Sequence, residues 1–319
     1  MKSSKVETVP SGKVSSVSEA MIEEVLATTS KVLKDREAEK EMRKAKAEGA
    51  VKGYINMDGY MLNEAMYKVM ERNVQAGTNT LLLGPTGAGK TELVDAIAKH
   101  LDLPLTIIDM GTMTDPIVSL VGSHTISVKD GITQSEFKRS RFSEIIQKPG
   151  IVLLDELSRA SAQANNLLFP VLDFRKELAM EYDFEDSTPV PVHPECVFIA
   201  TANLGSEYTG ASKLDRALVD RFMLLQVKEL PANVISFIMA NLFPKISSSV
   251  LKSIIDTYVQ VNTGFKSYDN QASFSLRHLK NICELVQDGF TPYDSFYMIY
   301  DGLAPDVEKV QSSIFNAIK

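Results

Sequence analysis

The sequence predicts an α/β fold in which a five-stranded parallel sheet is flanked by helices, followed by a small α-helical lid domain and preceded by a charged helical extension. Three observations carry this. From residue 80 to 227, short apolar runs alternate with segments of helical period. One run, Ile151-Val152-Leu153-Leu154, is apolar without a break, as a strand covered on both faces must be. After Pro231 the strand signals stop and only helical patterns follow.

Taken in order, residues 1–50 come first. Ser16 and Glu19 fit a capping box, and Met21, Ile22, Val25, Leu26, Val32 and Leu33 give a partial apolar stripe. Lys34 to Glu48 is almost entirely Lys, Arg, Glu and Ala, which reads as a solvated helix or arm. Residues 51–230 form the predicted core and 231–319 the predicted lid. A helical pattern from Tyr54 to Gln75 leads into the strand Thr80 to Leu83. The other strands are Leu105 to Asp109, Ile151 to Asp155, Val197 to Thr201 and Phe222 to Val227. Ile126 to Gln134 alternates around Asp130-Gly131, a hairpin signal. Ser161 to Phe174 reads as a helix kinked or interrupted at Pro170. Arg175 to Glu195 reads as a long polar insertion.

Composition bounds the function. The chain has 319 residues, 44% hydrophobic and 24% charged, with a formal charge of -7. No apolar stretch approaches the ~20 residues that cross a bilayer. The polar start Met1-Lys2-Ser3-Ser4-Lys5 is not a secretory signal, and the two separated cysteines, Cys196 and Cys283, read as buried free thiols. A cytoplasmic protein with no membrane partner is expected. The net negative charge argues against coating nucleic acid through bulk charge.

The chemistry concentrates in Gly84-Pro85-Thr86-Gly87-Ala88-Gly89-Lys90-Thr91, which matches the phosphate-binding pattern G-x-x-x-x-G-K-[ST]. Glycines let successive backbone N–H groups converge on one anion, and the following helix adds its positive end. Lys90 is expected to reach the β/γ-phosphates of ATP, and the Thr91 hydroxyl to ligate Mg²⁺. The preceding strand and the following helical repeat of Leu93, Val94, Ile97 and Leu101 supply the required context of a P-loop NTPase sheet. Asp155 and Glu156 end the most apolar strand, where open α/β sheets bind ligands. Asp155 is expected in the Mg²⁺ shell, and Glu156 as the base that orients and deprotonates water.

Further candidates follow in order. Asn203 ends the fourth strand and can hydrogen-bond a γ-phosphate or the attacking water. Arg216 and Arg221 precede the fifth strand, and guanidinium suits a phosphoryl transition state. Arg277 lies in Phe274-Ser275-Leu276-Arg277-His278-Leu279 of the lid.

Together these motifs resemble the AAA+ superfamily of ring ATPases over about residues 50 to 290. Within it the hairpin insert and Asp155-Glu156-Leu157-Ser158-Arg159-Ala160 are similar to MoxR-like ATPases, and Asp130 to Phe137 is similar to the cobalt-chelatase ATPase subunit. Leu157-Ser158 departs from the usual Ile-Asn. The resemblance implies Asn203 as sensor 1, Arg277 as sensor 2 and a homo-oligomeric, usually hexameric ring with Arg221 supplied in trans; Arg216 is the alternative finger. It also implies that the hairpin near Lys129 and the segment after Arg175 face a central pore.

Three functions compete: remodelling of a protein client, which in MoxR-like systems often carries a von Willebrand A domain; a nucleic-acid motor; and a non-enzymatic nucleotide-gated scaffold. Intact Glu156 and the arginines speak against the scaffold. A strand-tracking pore wants cations interleaved with aromatics. Lys129, Lys138, Arg139 and Arg141 have only Phe137 and Phe142 close by, and the second insert is acidic at Glu177, Glu181, Asp183, Glu185 and Asp186. Protein remodelling is the preferred expectation.

Overall fold

The computed structural model describes residues 51–57, 60–129, 132–203, 214–267 and 274–303; the extension read over 1–50 lies outside them. Five strands make the central sheet: β3 (Thr80–Gly84), β4 (Leu105–Asp109), β7 (Gly150–Asp155), β10 (Cys196–Asn203) and β11 (Met223–Gln226). Their spatial order is β11-β3-β10-β7-β4, and every neighbouring pair is parallel. Each run predicted as a strand is one, within a residue or two at its ends.

Period-two alternation explains the layers. Leu81, Val152, Leu154, Phe198 and Ala200 point into one core, with α3 (Arg141–Ile145) and α4 (Ala162–Leu172) packed against it. Leu82, Ile151, Leu153 and Ile199 point into the opposite core, under α1 (Glu64–Gln75) and α2 (Lys90–His100). β7 is buried from Gly150 through Leu154, as its uninterrupted apolar run requires. The edge strands β4 and β11 are partly exposed.

The short helix α5 (Arg216–Val219) precedes β11, and beyond β11 the described elements are helical: α6 (Ala232–Leu242), α7 (Ser248–Ser267), α8 (Leu276–Gln287) and α9 (Pro292–Leu303). They close over their own apolar cluster, which includes Ile235, Ile254, Leu279, Ile282 and Phe296. Cys196 and Cys283 are free and buried, and burial pushes their thiols up to about 11 and about 12. No helix among the described residues is long and apolar enough to cross a membrane.

Two expectations change. Tyr54 to Asn63 is not helical; it forms the antiparallel pair β1 (Tyr54–Met57) and β2 (Tyr60–Asn63). The strands flank Asp58-Gly59, a hairpin dipeptide hidden within an apparent helical repeat, and Met57 and Leu62 pack beside α2. Asn63 then caps α1, accepting from the N–H groups of Ala65 and Met66.

The segment after Arg175 is also more than a polar insertion. It carries the short ribbon β8 (Glu177–Leu178) and β9 (Val190–Pro191), and Leu178, Met180, Val190 and Val192 are buried in the core beside α4. The first insert is a longer hairpin than expected, β5 (Gly122–Lys129) with β6 (Ile132–Arg139). The two inserts meet: Arg139 pairs with Asp186 at 3.1 Å, and the His124 ring stacks on Phe184 at 5.4 Å.

Candidate functional site

The loop between β3 and α2 is shaped by what a side chain would strike. Gly84 closes β3, and a Cβ there would stand 2.6 Å from the Val227 carbonyl oxygen. Gly87 and Gly89 have φ of 73° and 76°, the left-handed region that glycine enters without cost. A Cβ on Gly87 would lie 2.4 Å from the Cβ of Ser275, so the loop passes directly beneath the lid. Tyr60, which the sequence reading did not select, donates its hydroxyl to the Gly89 carbonyl at 3.1 Å.

Lys90 opens α2 and is buried. Its ammonium donates to the Gly84 carbonyl at 3.0 Å, the Pro85 carbonyl at 2.8 Å and Asn203 Oδ1 at 2.8 Å. Burial pulls its pKa below the ordinary lysine value, and the charges of Asp155, Glu156 and Glu92 oppose that. Asn203 reaches it because β10 pairs with β3 in a register that sets Asn203 opposite Gly84.

The acidic strand end lies on the other side of the loop. Thr91 Oγ1 donates to the Asp155 carboxylate at 3.1–3.2 Å. Thr201 Oγ1 also donates to Asp155 and accepts the Glu156 backbone N–H at 3.0 Å. Glu156 itself has φ of 54°, an uncommon conformation for a side-chain-bearing residue and one that recurs at functional sites. Its carboxylate pairs with Arg159 at 3.2 Å. Thr201 was missed from sequence, yet strand alternation puts it on the same face as Asn203, two residues on.

These groups fit a magnesium nucleotide. Two left-handed glycines curl the loop ahead of the α2 N-terminus, and a buried ammonium and a hydroxyl–carboxylate pair flank it. Mg²⁺ prefers hard oxygens and takes much of its shell from phosphate and water, so Thr91 and Asp155 suffice as protein donors.

On the lid side, a cleft runs between Pro85 to Ala88 of the loop, Lys228 to Leu230, and Tyr258, Asn262 and Ser275 of the lid. Ser275 and His278 form a reciprocal capping box at the start of α8. Arg277 stands exposed on that first turn, next to Ser275 and Leu276 at the rim of the cleft.

Arg221 lies elsewhere. It precedes β11 at the N-terminal end of the sheet, where Asn79 Nδ2 donates to its carbonyl at 3.2 Å. The five residues of β3 separate this point from the phosphate loop, roughly 16 Å at about 3.3 Å each. The guanidinium lies over the Phe169 ring at 4.6 Å and meets Asp173 at 3.5 Å. Asp173 is held down at about 2, chiefly by its hydrogen bond from Arg175. Arg216 is exposed on α5. The sequence therefore brings Lys90, Thr91, Asp155, Glu156 and Asn203 together and sets Arg221 apart from them.

A parallel sheet of this order, with a phosphate loop after its first core strand and an acidic pair ending the third, defines an AAA+ ATP hydrolase. Residues 79–222 match the AAA domain of the dynein-related subfamily, and that stretch is such a domain. Proteins of Staphylococcus aureus strains USA300 and MRSA252 are similar, each 25% identical over 276 residues that cover 85% of this chain and 98% of theirs. Among solved structures, NtrX from Brucella abortus in complex with ADP is similar in fold, with a TM-score of 0.50 and 17% identity. That match covers 82% of this chain, which spans only 57% of the NtrX chain.

Proposed function

We propose that this chain assembles into a homo-oligomeric ring, hexameric as in MoxR-like ATPases, and couples Mg-ATP hydrolysis to remodelling of a protein client. The observation that carries the ring is the separation just described: Arg221 sits at the far end of β3 from its own phosphate loop and is too distant to touch a nucleotide bound there.

Within each site, the loop N–H groups and Lys90 hold the phosphates, and Arg277 adds a cation from the lid rim. Mg²⁺, held by Thr91 and Asp155, would offset phosphate charge. Glu156 takes the proton of the attacking water and Asn203 orients that water. Arg221 of the adjacent subunit stabilises the charge that develops on the transferred group.

What favours a protein client over nucleic acid is charge. The second insert is acidic, and one cation of the first insert, Arg139, is already paired with Asp186 of the second. A strand-tracking groove wants free cations and stacking aromatics. A client bearing a von Willebrand A domain is the specific expectation.

Glu156→Gln keeps the side-chain shape and loses the base, so it should bind ATP, hydrolyse it very slowly and retain its client. Recovery of nucleic acid instead of protein with this variant would overturn the remodelling reading. The ring is tested by mixing. Arg221→Ala and Lys90→Ala proteins, each inactive alone, should regain activity together, because some interfaces then carry both groups. Full turnover by Arg221→Ala, with Arg216→Ala inactive, would transfer the role to Arg216.

A further inference from the structure

We propose that Asp173 is a positioning residue for Arg221. The inference rests on the reading of Arg221 as the group that acts on a neighbouring subunit's nucleotide.

The argument begins at the end of α4. Asp173 follows its last turn, and its carboxylate is largely shielded, 13% exposed. Arg175 grips it in two-point fashion: Nε donates to Oδ1 at 3.1 Å and the terminal nitrogen to Oδ2 at 2.7 Å. The Arg175 backbone N–H donates to the same Oδ1 at 2.9 Å. These bonds fix the plane of the carboxylate, and a fork-on-carboxylate pair is the most orientation-specific ion pair available. So held, Oδ2 faces Arg221 at 3.5 Å.

Arg221 is constrained from three further sides. Its guanidinium rests on Phe169, one terminal nitrogen donates to the Ala217 carbonyl, and Asn79 donates to both the Arg221 carbonyl and the Leu172 carbonyl. The Asn79 bonds set the distance between the α4 end and the Arg221 backbone. Yet the fork is incompletely satisfied: Arg221 Nε is buried without an acceptor. A shielded guanidinium N–H without a partner is unfavourable. The contact with Asp173 is also long, while Arg175 supplies the short one. Arg221 is thus aimed by its own chain without being saturated by it. It keeps donor capacity for an anion presented from outside, and Asp173 keeps a counter-charge in Arg175 when Arg221 turns away. Without Asp173 the long side chain has one carbonyl and a ring face to define its direction, and a misplacement of about 1 Å can cost ~100-fold in rate.

The test uses the full, assembled chain. Asp173→Asn should assemble, bind ATP with unchanged KM and lose roughly 10- to 100-fold in kcat. Asp173→Glu, which keeps the charge, should recover much of the loss; Asp173→Ser is the second truncation should the amide variant fail to assemble. A structural role would not predict the decisive result: Asp173→Asn combined with Arg221→Ala should be no slower than Arg221→Ala alone. Losses that multiply in the double variant, or parental kcat in both Asp173→Asn and Asp173→Ser while Arg221→Ala is slow, would overturn this proposal and leave the reading of Arg221 standing. Parental turnover by Arg221→Ala would overturn both.

Discussion

Lys90 Nζ donates to Asn203 Oδ1 at 2.8 Å, joining the first residue of α2 to the last residue of β10. Three acceptors hold this ammonium, two of them carbonyls of its own loop. Its charge is therefore held against the loop backbone, where the Lys90 side chain is buried. Lys90→Ala should abolish measurable ATP binding in calorimetry. Asn203→Ala removes only one neutral partner, so it should bind ATP within about tenfold of the parent while turnover falls far more. Equal losses of binding in the two variants would make Asn203 a loop-bracing residue and remove it from the hydrolytic step.

Thr201 links the two acids. Its hydroxyl donates to Asp155 and accepts from the Glu156 N–H, and it is buried. Thr201→Val keeps the shape and deletes both bonds, leaving the Glu156 N–H unpaired at a cost of about 1–3 kcal/mol. Turnover should fall at least tenfold with ATP affinity nearly unchanged, and Thr201→Ser should restore it. Parental kcat in Thr201→Val would show that Glu156 does not depend on this brace.

How much of this was legible depends on the range of the determinant. The phosphate loop, Asp155-Glu156 and the buried strands are local patterns, and the register that sets Asn203 against Gly84 follows from two adjacent strands ending together. The Tyr54–Met57 and Tyr60–Asn63 pair was read as helix because Met61, Leu62, Met66, Val69 and Met70 recur at helical spacing across a true boundary at Asn63. Asp173 and Arg221 are 48 residues apart, and nothing in either segment announces the other. The core role of Leu178, Met180 and Val190 is likewise masked by the acidic residues interleaved with them.

Gly87 tests the closeness of loop and lid. With φ of 73°, any Cβ is strained, by roughly 1–2 kcal/mol, and it would also meet Ser275 Cβ at 2.4 Å. Gly87→Ala should therefore weaken ATP binding strongly. Adding Ser275→Gly removes the collision and leaves the strain, so it should recover part of the affinity. No recovery would show that backbone conformation alone governs the position.

His278 is expected to make the cap at the start of α8 sensitive to pH. Its Nδ1 accepts the Ser275 N–H at 3.1 Å, and Ser275 is the residue against Gly87. Burial, then the nearby Arg277 charge, lowers its pKa below 6.5. A histidine whose folded pKa is depressed contributes stability that is present above its unfolded value and lost as pH falls through the folded one. Protonation also puts a hydrogen on the very atom that accepts, which breaks the capping box. The urea midpoint of the parent should fall between about pH 7 and pH 5. His278→Gln retains an acceptor at this capping position and has no proton to gain, so the midpoint should decline less over the same interval. Arg277→Ala, by removing the repelling charge, should bring the folded pKa closer to the unfolded value and make the decline smaller. Identical pH profiles for parent and His278→Gln would show that the cap does not titrate and that acid sensitivity arises in other groups.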